Sequence, residues 1–243
     1  MSVIVIEAKR QEMINGYEVW SGESLINREE VMLIITGVNI PSTNRKTGWM
    51  IQSWVLTKDH PVEAIKTGKD YSICGDCALR GKEGKGRVCY VMPLSISQVY
   101  QKYLKGGYPP LDKETFCRMR GRDLRIGSYG DPTAIPYEVW EPLIKNSRVT
   151  TGYTHRWLVC DPRWKSKVHA SVESIADQKL ANSLGWCTYR IKKPSQPMLA
   201  DEIYCPAEEP TNKYLITCQR CGKCNGKTGN IVVDVHGMGS RNL

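Results

Sequence analysis

Residues 124–154 run LRIGSYGDPTAIPYEVWEPLIKNSRVTTGYT. The first six read as a strand, stopped by Gly130-Asp131-Pro132. Residues 136–144 read as a helix with Pro136 at its start, where a missing N–H costs nothing. Residues 149–154 read as a second strand. A strand, a helix and a strand in quick succession predict two parallel strands joined by a crossover. The pattern continues downstream, with a strand over 168–172, a helix over 175–184 stopped at Gly185, and strands over 186–191, 202–204 and 231–235. Upstream, residues 1–60 are β-rich, with short Val-, Ile-, Tyr- or Trp-containing runs at 2–6, 17–20, 31–35 and 49–56. The turn cluster 41–48 between the last two predicts a hairpin. Helices are expected over 95–104, where Ile96, Val99, Tyr100 and Tyr103 recur at helical spacing, and over 111–119.

The expected fold class is therefore α/β: a complete or partial β/α (TIM-like) barrel with a β-rich N-terminal portion. Residues 1–243 are expected to form a single domain, with the β-rich portion at about 1–60 and the barrel-like portion at about 70–243. In a β/α barrel the C-terminal ends of the strands share one face, and that face carries the chemistry. Tyr129, Asp131, His155, Glu173, Arg190, Cys205 and His236 each lie at or just past such an end. They are expected to converge with one set of cysteines.

A chain of 243 residues can bury a full core, so its cysteines are not needed as staples. Charged residues at 24% and hydrophobic ones at 41% exclude a wholly disordered chain. No apolar run approaches the roughly 18 residues of a membrane span, so no membrane association is expected. The N-terminus MSVIVIEAKR lacks the pattern of a signal peptide, and the expected compartment is the cytoplasm. The formal charge of +9 has no basic tail; it is compatible with nucleic acid as a partner and also with an ordinary solvated surface.

Ten cysteines in a reducing compartment favour metal over disulfide. Cys218-Gln-Arg-Cys221-Gly-Lys-Cys224, preceded by Cys205-Pro206, offers a thiolate at every third position. This is the spacing with which ferredoxins wrap a [4Fe-4S] cluster, a remote Cys-Pro supplying a further ligand. Zinc is the alternative, although structural zinc sites usually pair two knuckles. Cys74-Gly-Asp-Cys77 followed by Cys89 is a secondary metal candidate, across a polar 74–87 loop bearing Arg80, Lys82, Lys85 and Arg87. Cys117 and Cys187 fall inside expected regular elements and read as core residues. Tyr129, Asp131, His155, Glu173 and His236 are the pocket candidates. Each also has an ordinary structural role open to it: a turn initiator for Asp131, a helix-terminal charge for Glu173 and for Glu208-Glu209, a hydrogen-bonded core group for His155. No Gx4GK[ST], HExxH or GxSxG occurs, which removes support for nucleotide hydrolysis, zinc proteolysis and serine hydrolysis.

The ordered set ICGDCALRG, CYV, RIGSYGDPTAIP, TGYTHRW, HASVES, GWCTYRI, IYCPAEE, CQRCGKCNG and VVDVHG resembles a phage-encoded iron–sulfur family, the gene product 88-like proteins, over roughly residues 70–237. That resemblance implies a β/α-barrel plan distantly like the radical S-adenosylmethionine enzymes. It also implies a bacteriophage protein in the cytoplasm of an infected bacterium, loaded by the host iron–sulfur assembly machinery. The chain lacks the Cys-x3-Cys-x2-Cys of radical enzymes, and its C-terminal set has four cysteines, which would leave no open iron. The leading expectation is a [4Fe-4S] protein with a redox or cluster-dependent role and an electron-transfer partner. The alternatives are a zinc-stabilised nucleic-acid-binding protein and a radical S-adenosylmethionine enzyme.

Overall fold

A computed structural model describes residues 13–81, 86–208, 216–237 and 239–242; the strand expected over 2–6 lies outside them. Strands β1 (Gly16–Glu23), β2 (Glu30–Thr36) and β3 (Ile51–Thr57) form an antiparallel meander. The middle strand, EVMLIIT, is apolar on both faces and is buried on both, because neighbours flank it and layers cover it. The remaining strands are β4 (Leu124–Tyr129), β5 (Thr150–Thr154), β6 (His169–Val172), β7 (Thr188–Lys192), β8 (Glu202–Tyr204) and β9 (Asn230–Asp234). All pair in parallel, beginning with β4 on β3, and complete one sheet of order β1-β2-β3-β4-β5-β6-β7-β9-β8.

Helices α1 (Pro61–Thr67), α2 (Tyr71–Cys74), α3 (Pro93–Leu104) and α4 (Lys113–Arg118) connect β3 to β4. Helix α5 (Tyr137–Asn146) joins β4 to β5, and α6 (Ile175–Ser183) joins β6 to β7. The strand–helix–strand reading of 124–154 is thus borne out, as is the hairpin over 31–56. The complete-barrel form of the expectation is not: the sheet stays open, with β1 and β8 as its edges. Strand β1 bonds outward to the chain before α4, through Glu18 N–H to Pro109 C=O and Leu111 N–H to Glu18 C=O, and β8 is only three residues long.

Strand alternation divides the molecule into two apolar regions. Leu124, Ile126, Ala170 and Val172 face a large core with Trp140, Leu143 and Ile144 of α5. Tyr189, Ile191, Ile231 and Val233 face the other way and form a smaller cluster with Leu79, Val88, Cys205 and Cys224. Cys117 corrects a sequence expectation: it is exposed, because the short α4 buries Thr115 instead. Cys187 stands just ahead of β7 and is only half-buried, its carbonyl accepting from Ala170 N–H. No helix among the described residues is long and apolar enough to cross a membrane.

Candidate functional site at the strand ends

The segment after β3 delivers the first cysteines. Cys74 ends α2, Gly75 turns the chain, and Cys77 N–H donates to the Cys74 carbonyl. The Leu79 carbonyl then accepts from both Val88 and Cys89 N–H, which closes the intervening loop and returns Cys89 beside Cys77. A buried ion pair pins this loop: Arg80 Nε lies 2.8 Å from Asp70, and Arg80 Nη2 donates to Gly68 C=O at 2.6 Å. Arg87 Nη2 donates to Val91 C=O. Two of the loop's four basic residues, Arg80 and Arg87, are therefore engaged in its own bonding; Lys82 and Lys85 lie outside the described residues.

Cys74, Cys77 and Cys89 line a cavity of about 100 Å³ with Arg125, Tyr129, Asp131, Tyr153, His155 and Tyr189. These come from the ends of β4 and β5 and from the strand face beneath. Asp131 is held by Thr133 N–H at 3.0 Å and by the Thr154 hydroxyl, and it accepts from His155 N–H at 2.8 Å. It caps one turn and orients the next. His155 Nε2 lies 2.9 Å from Glu173 Oε1, and the ring also hydrogen-bonds Cys77. Burial alone would lower the His155 pKa; Cys77 and Glu173 outweigh it and push it well up. His236 lies in a neighbouring recess, stacked on Tyr90 at 5.2 Å, with Nε2 3.6 Å from Glu208. Four pocket candidates thus form one group, with Glu173 joined through His155, and His236 is next door. Glu209 lies outside the described residues. Arg190 faces away, fully buried against Glu202 at 2.6 and 2.7 Å.

The C-terminal cysteines are placed differently. Cys205 follows β8 directly, and Cys218–Cys221 form a short helix, α7, bonded to the segments that precede β3 and β4. Cys218 N–H donates to Lys46 C=O ahead of β3, Gln219 bonds Asp123 ahead of β4, and Gly226 N–H donates 3.0 Å to His169 Nδ1 at the start of β6. The cause is topological. Strands β8 and β9 are parallel, so the chain between them must return to the starting ends of the strands before β9 begins. Cys74, Cys77 and Cys89 line the cavity with Tyr129, Asp131 and His155, and Cys205 and Cys224 pack in the adjoining smaller apolar cluster, against which Cys77, Cys89 and Tyr153 also lie. Cys205, Cys218 and Cys224 nevertheless influence one another's ionisation. Burial pushes the Cys205 thiol up to about 11 and Cys224 to about 12, although the Tyr153 hydroxyl bonded to Cys224 acts the other way. Burial also raises Cys74 and Cys89.

Sequence reasoning missed Arg125, Tyr153 and Tyr189. The available signal was a lone cation inside the apolar strand LRI, whose alternation aims it at the face opposite Leu124 and Ile126. Among the described residues, no three His, Cys, Asp or Glu side chains are placed to share a single metal ion. Compared with known proteins, the chain matches no family model, no curated protein and no solved structure.

Proposed function

We propose that the chain is an iron–sulfur protein with a cluster-dependent role, of partial β/α-barrel type. Cys205, Cys218, Cys221 and Cys224 would hold one [4Fe-4S] cluster, and Cys74, Cys77 and Cys89 are the ligands of a second centre in the strand-end cavity. One observation carries this reading: three thiols, far apart in sequence from the strand-end polar groups, share a cavity with Tyr129, Asp131 and His155. The residues fit such a group chemically. Thiolates are the ligands an iron–sulfur cluster takes, and three thiols line the cavity. The buried Arg125 guanidinium beside them would offset the charge of a thiolate-ligated cluster.

A second reading within this class is favoured by the number of thiols. Three cysteines line the cavity, so a cubane there would keep one iron open to a ligand, as radical S-adenosylmethionine enzymes require. Residues Gly127 to Asp131 at the end of β4 border the same space. The motif order supports a bacteriophage protein acting in the host cytoplasm, loaded by host iron–sulfur assembly machinery and reduced by an electron-transfer partner.

Anaerobic purification with iron, sulfide and zinc analysis tests the proposal. A brown protein binding about four irons per cluster supports it; a colourless, zinc-containing one with salt-sensitive DNA binding supports the nucleic-acid alternative instead. Under reduction, a change in the electron-spin spectrum on adding S-adenosylmethionine, lost in Cys77→Ser and kept in Cys221→Ser, assigns the open iron to the strand-end cavity.

A further inference from the structure

Buried cations in this fold come with carboxylates. Arg190 has Glu202 at 2.6 Å, Arg80 has Asp70 at 2.8 Å, and Lys192 has Asp234 at 2.5 Å. Arg125 is different. It is 8% exposed, its guanidinium carbon stands 4.3 Å from the centre of the Tyr153 ring, and Nη1, like that of Arg190, is buried with no hydrogen-bond partner; what Arg190 has and Arg125 lacks is a carboxylate on its other nitrogens. No ion pair of Arg125 occurs among the described residues. The carboxylates of its cavity are engaged elsewhere: Asp131 with Thr133, Thr154 and His155 N–H, and Glu173, next to the cavity, with the His155 ring. A second polar group in the same cavity is also unsatisfied, the buried hydroxyl of Tyr129.

A guanidinium stays charged at any accessible pH. Burying it unpaired is costly, and stacking on one tyrosine offsets only part of that cost. A native fold that leaves a cation and a hydroxyl unpartnered beside a cavity has room there for an acceptor of both. The geometry points to the cavity as a binding site for a small organic anion, whose carboxylate or phosphate oxygens pair with Arg125 Nη1 and accept from the Tyr129 hydroxyl. The Tyr153 and Tyr189 rings, 4.1 Å apart between centres, form the adjacent wall for the body of the ligand. Neither Arg125 nor Tyr129 is an iron ligand in the proposed function, so iron content and anion binding fail separately.

Cys218 and Cys224 also stand near Arg125, and as ligands of the proposed cluster they would be a second source of negative charge for it. The experiment separates the two. Full-length protein, iron-loaded and chelator-stripped, is melted while acetate, inorganic phosphate or chloride is titrated at constant ionic strength. A saturable rise in Tm with acetate or phosphate, and none with chloride, is expected in both preparations; whichever oxyanion acts identifies the ligand class. The response should vanish in Arg125→Met, and half-saturation should rise about tenfold in Tyr129→Phe, which keeps the ring and removes one bond. If Arg125→Met does not fold, Arg125→Lys and Tyr129→Phe decide, and unchanged half-saturation in both overturns the site. An equal response to chloride also overturns it. A response confined to the stripped protein means that Arg125 serves the cluster, and it rejects the small-ligand site.

Discussion

Lowering the pH should detach the C-terminal cysteine loop through one residue, His169. This side chain is fully buried at the start of β6. Its Nδ1 accepts from Gly226 N–H at 3.0 Å, so the ring proton sits on Nε2, which donates to Gly229 C=O at 3.0 Å. The Nδ1 bond requires neutral imidazole; burial lowers the pKa from 6.5 to about 4, outweighing the Gly229 carbonyl, which favours the charged ring. The folded-state pKa lies below the unfolded value, so the contribution is full above pH 6.5 and is lost as pH falls toward 4. A depression of that size is worth about 3 kcal/mol, a large share of a typical stability of about 5–15 kcal/mol. Because carboxylates also titrate in this range, the measurement is a difference. Urea unfolding from pH 7.5 to 4 is compared between wild type and His169→Gln, whose amide can still donate and accept. The wild type should lose about 2–3 kcal/mol more than the variant across that window. In parallel, amide exchange at residues 224–229 should accelerate in the wild type first. Identical pH dependence in the two proteins, or an imidazole resonance of His169 titrating near 6.5, would refute the reasoning.

Three further outcomes are expected. Glu202→Gln leaves the fully buried Arg190 charge unpaired and should cost about 3–5 kcal/mol in denaturant unfolding, against about 0–1 for Glu63→Gln at an exposed pair; a loss below about 1 kcal/mol at Glu202 rejects the assignment. Gly130 has φ +75°, and a Cβ there would stand 2.8 Å from Val55 Cβ and 2.9 Å from its carbonyl, so Gly130→Ala should destabilise by about 1–3 kcal/mol and disturb Asp131 beside it. Unchanged Tm in that variant counts against the close packing of β3 on the β4 end. Cys218→Ser, Cys221→Ser and Cys224→Ser should each sharply reduce iron, while Cys117→Ser and Cys187→Ser keep it; full loading in the first three removes the C-terminal cluster.

The elements and the order in which they alternate follow from local sequence. Residues 124–129, 150–154 and 188–192 are legible because a strand's period and a Gly or Pro stop are local properties. The expectation that Tyr129, Asp131 and His155 meet at one face came from topology alone, since parallel strands align their C-terminal ends. Which cysteines meet them was not legible, because that depends on where each loop returns. Val88 and Cys89 N–H both donate to one carbonyl, Leu79, and bring Cys89 to Cys77, whereas the parallel pairing of β8 with β9 returns the chain to the starting ends of the strands, where Cys218 and Gln219 bond Lys46 and Asp123. Burial of Cys117 was misread for a related reason: helical periodicity gives a face, and only the packed neighbours decide whether that face is covered. Closure of the sheet was likewise decided in three dimensions, where β1 spends its outer edge on residues 109–111 and β8 is too short to offer another. Arg125 shows the division most directly. Its place in an apolar strand is written in the chain, but its want of a counter-charge emerges only when the carboxylates of its cavity are found bonded to other groups.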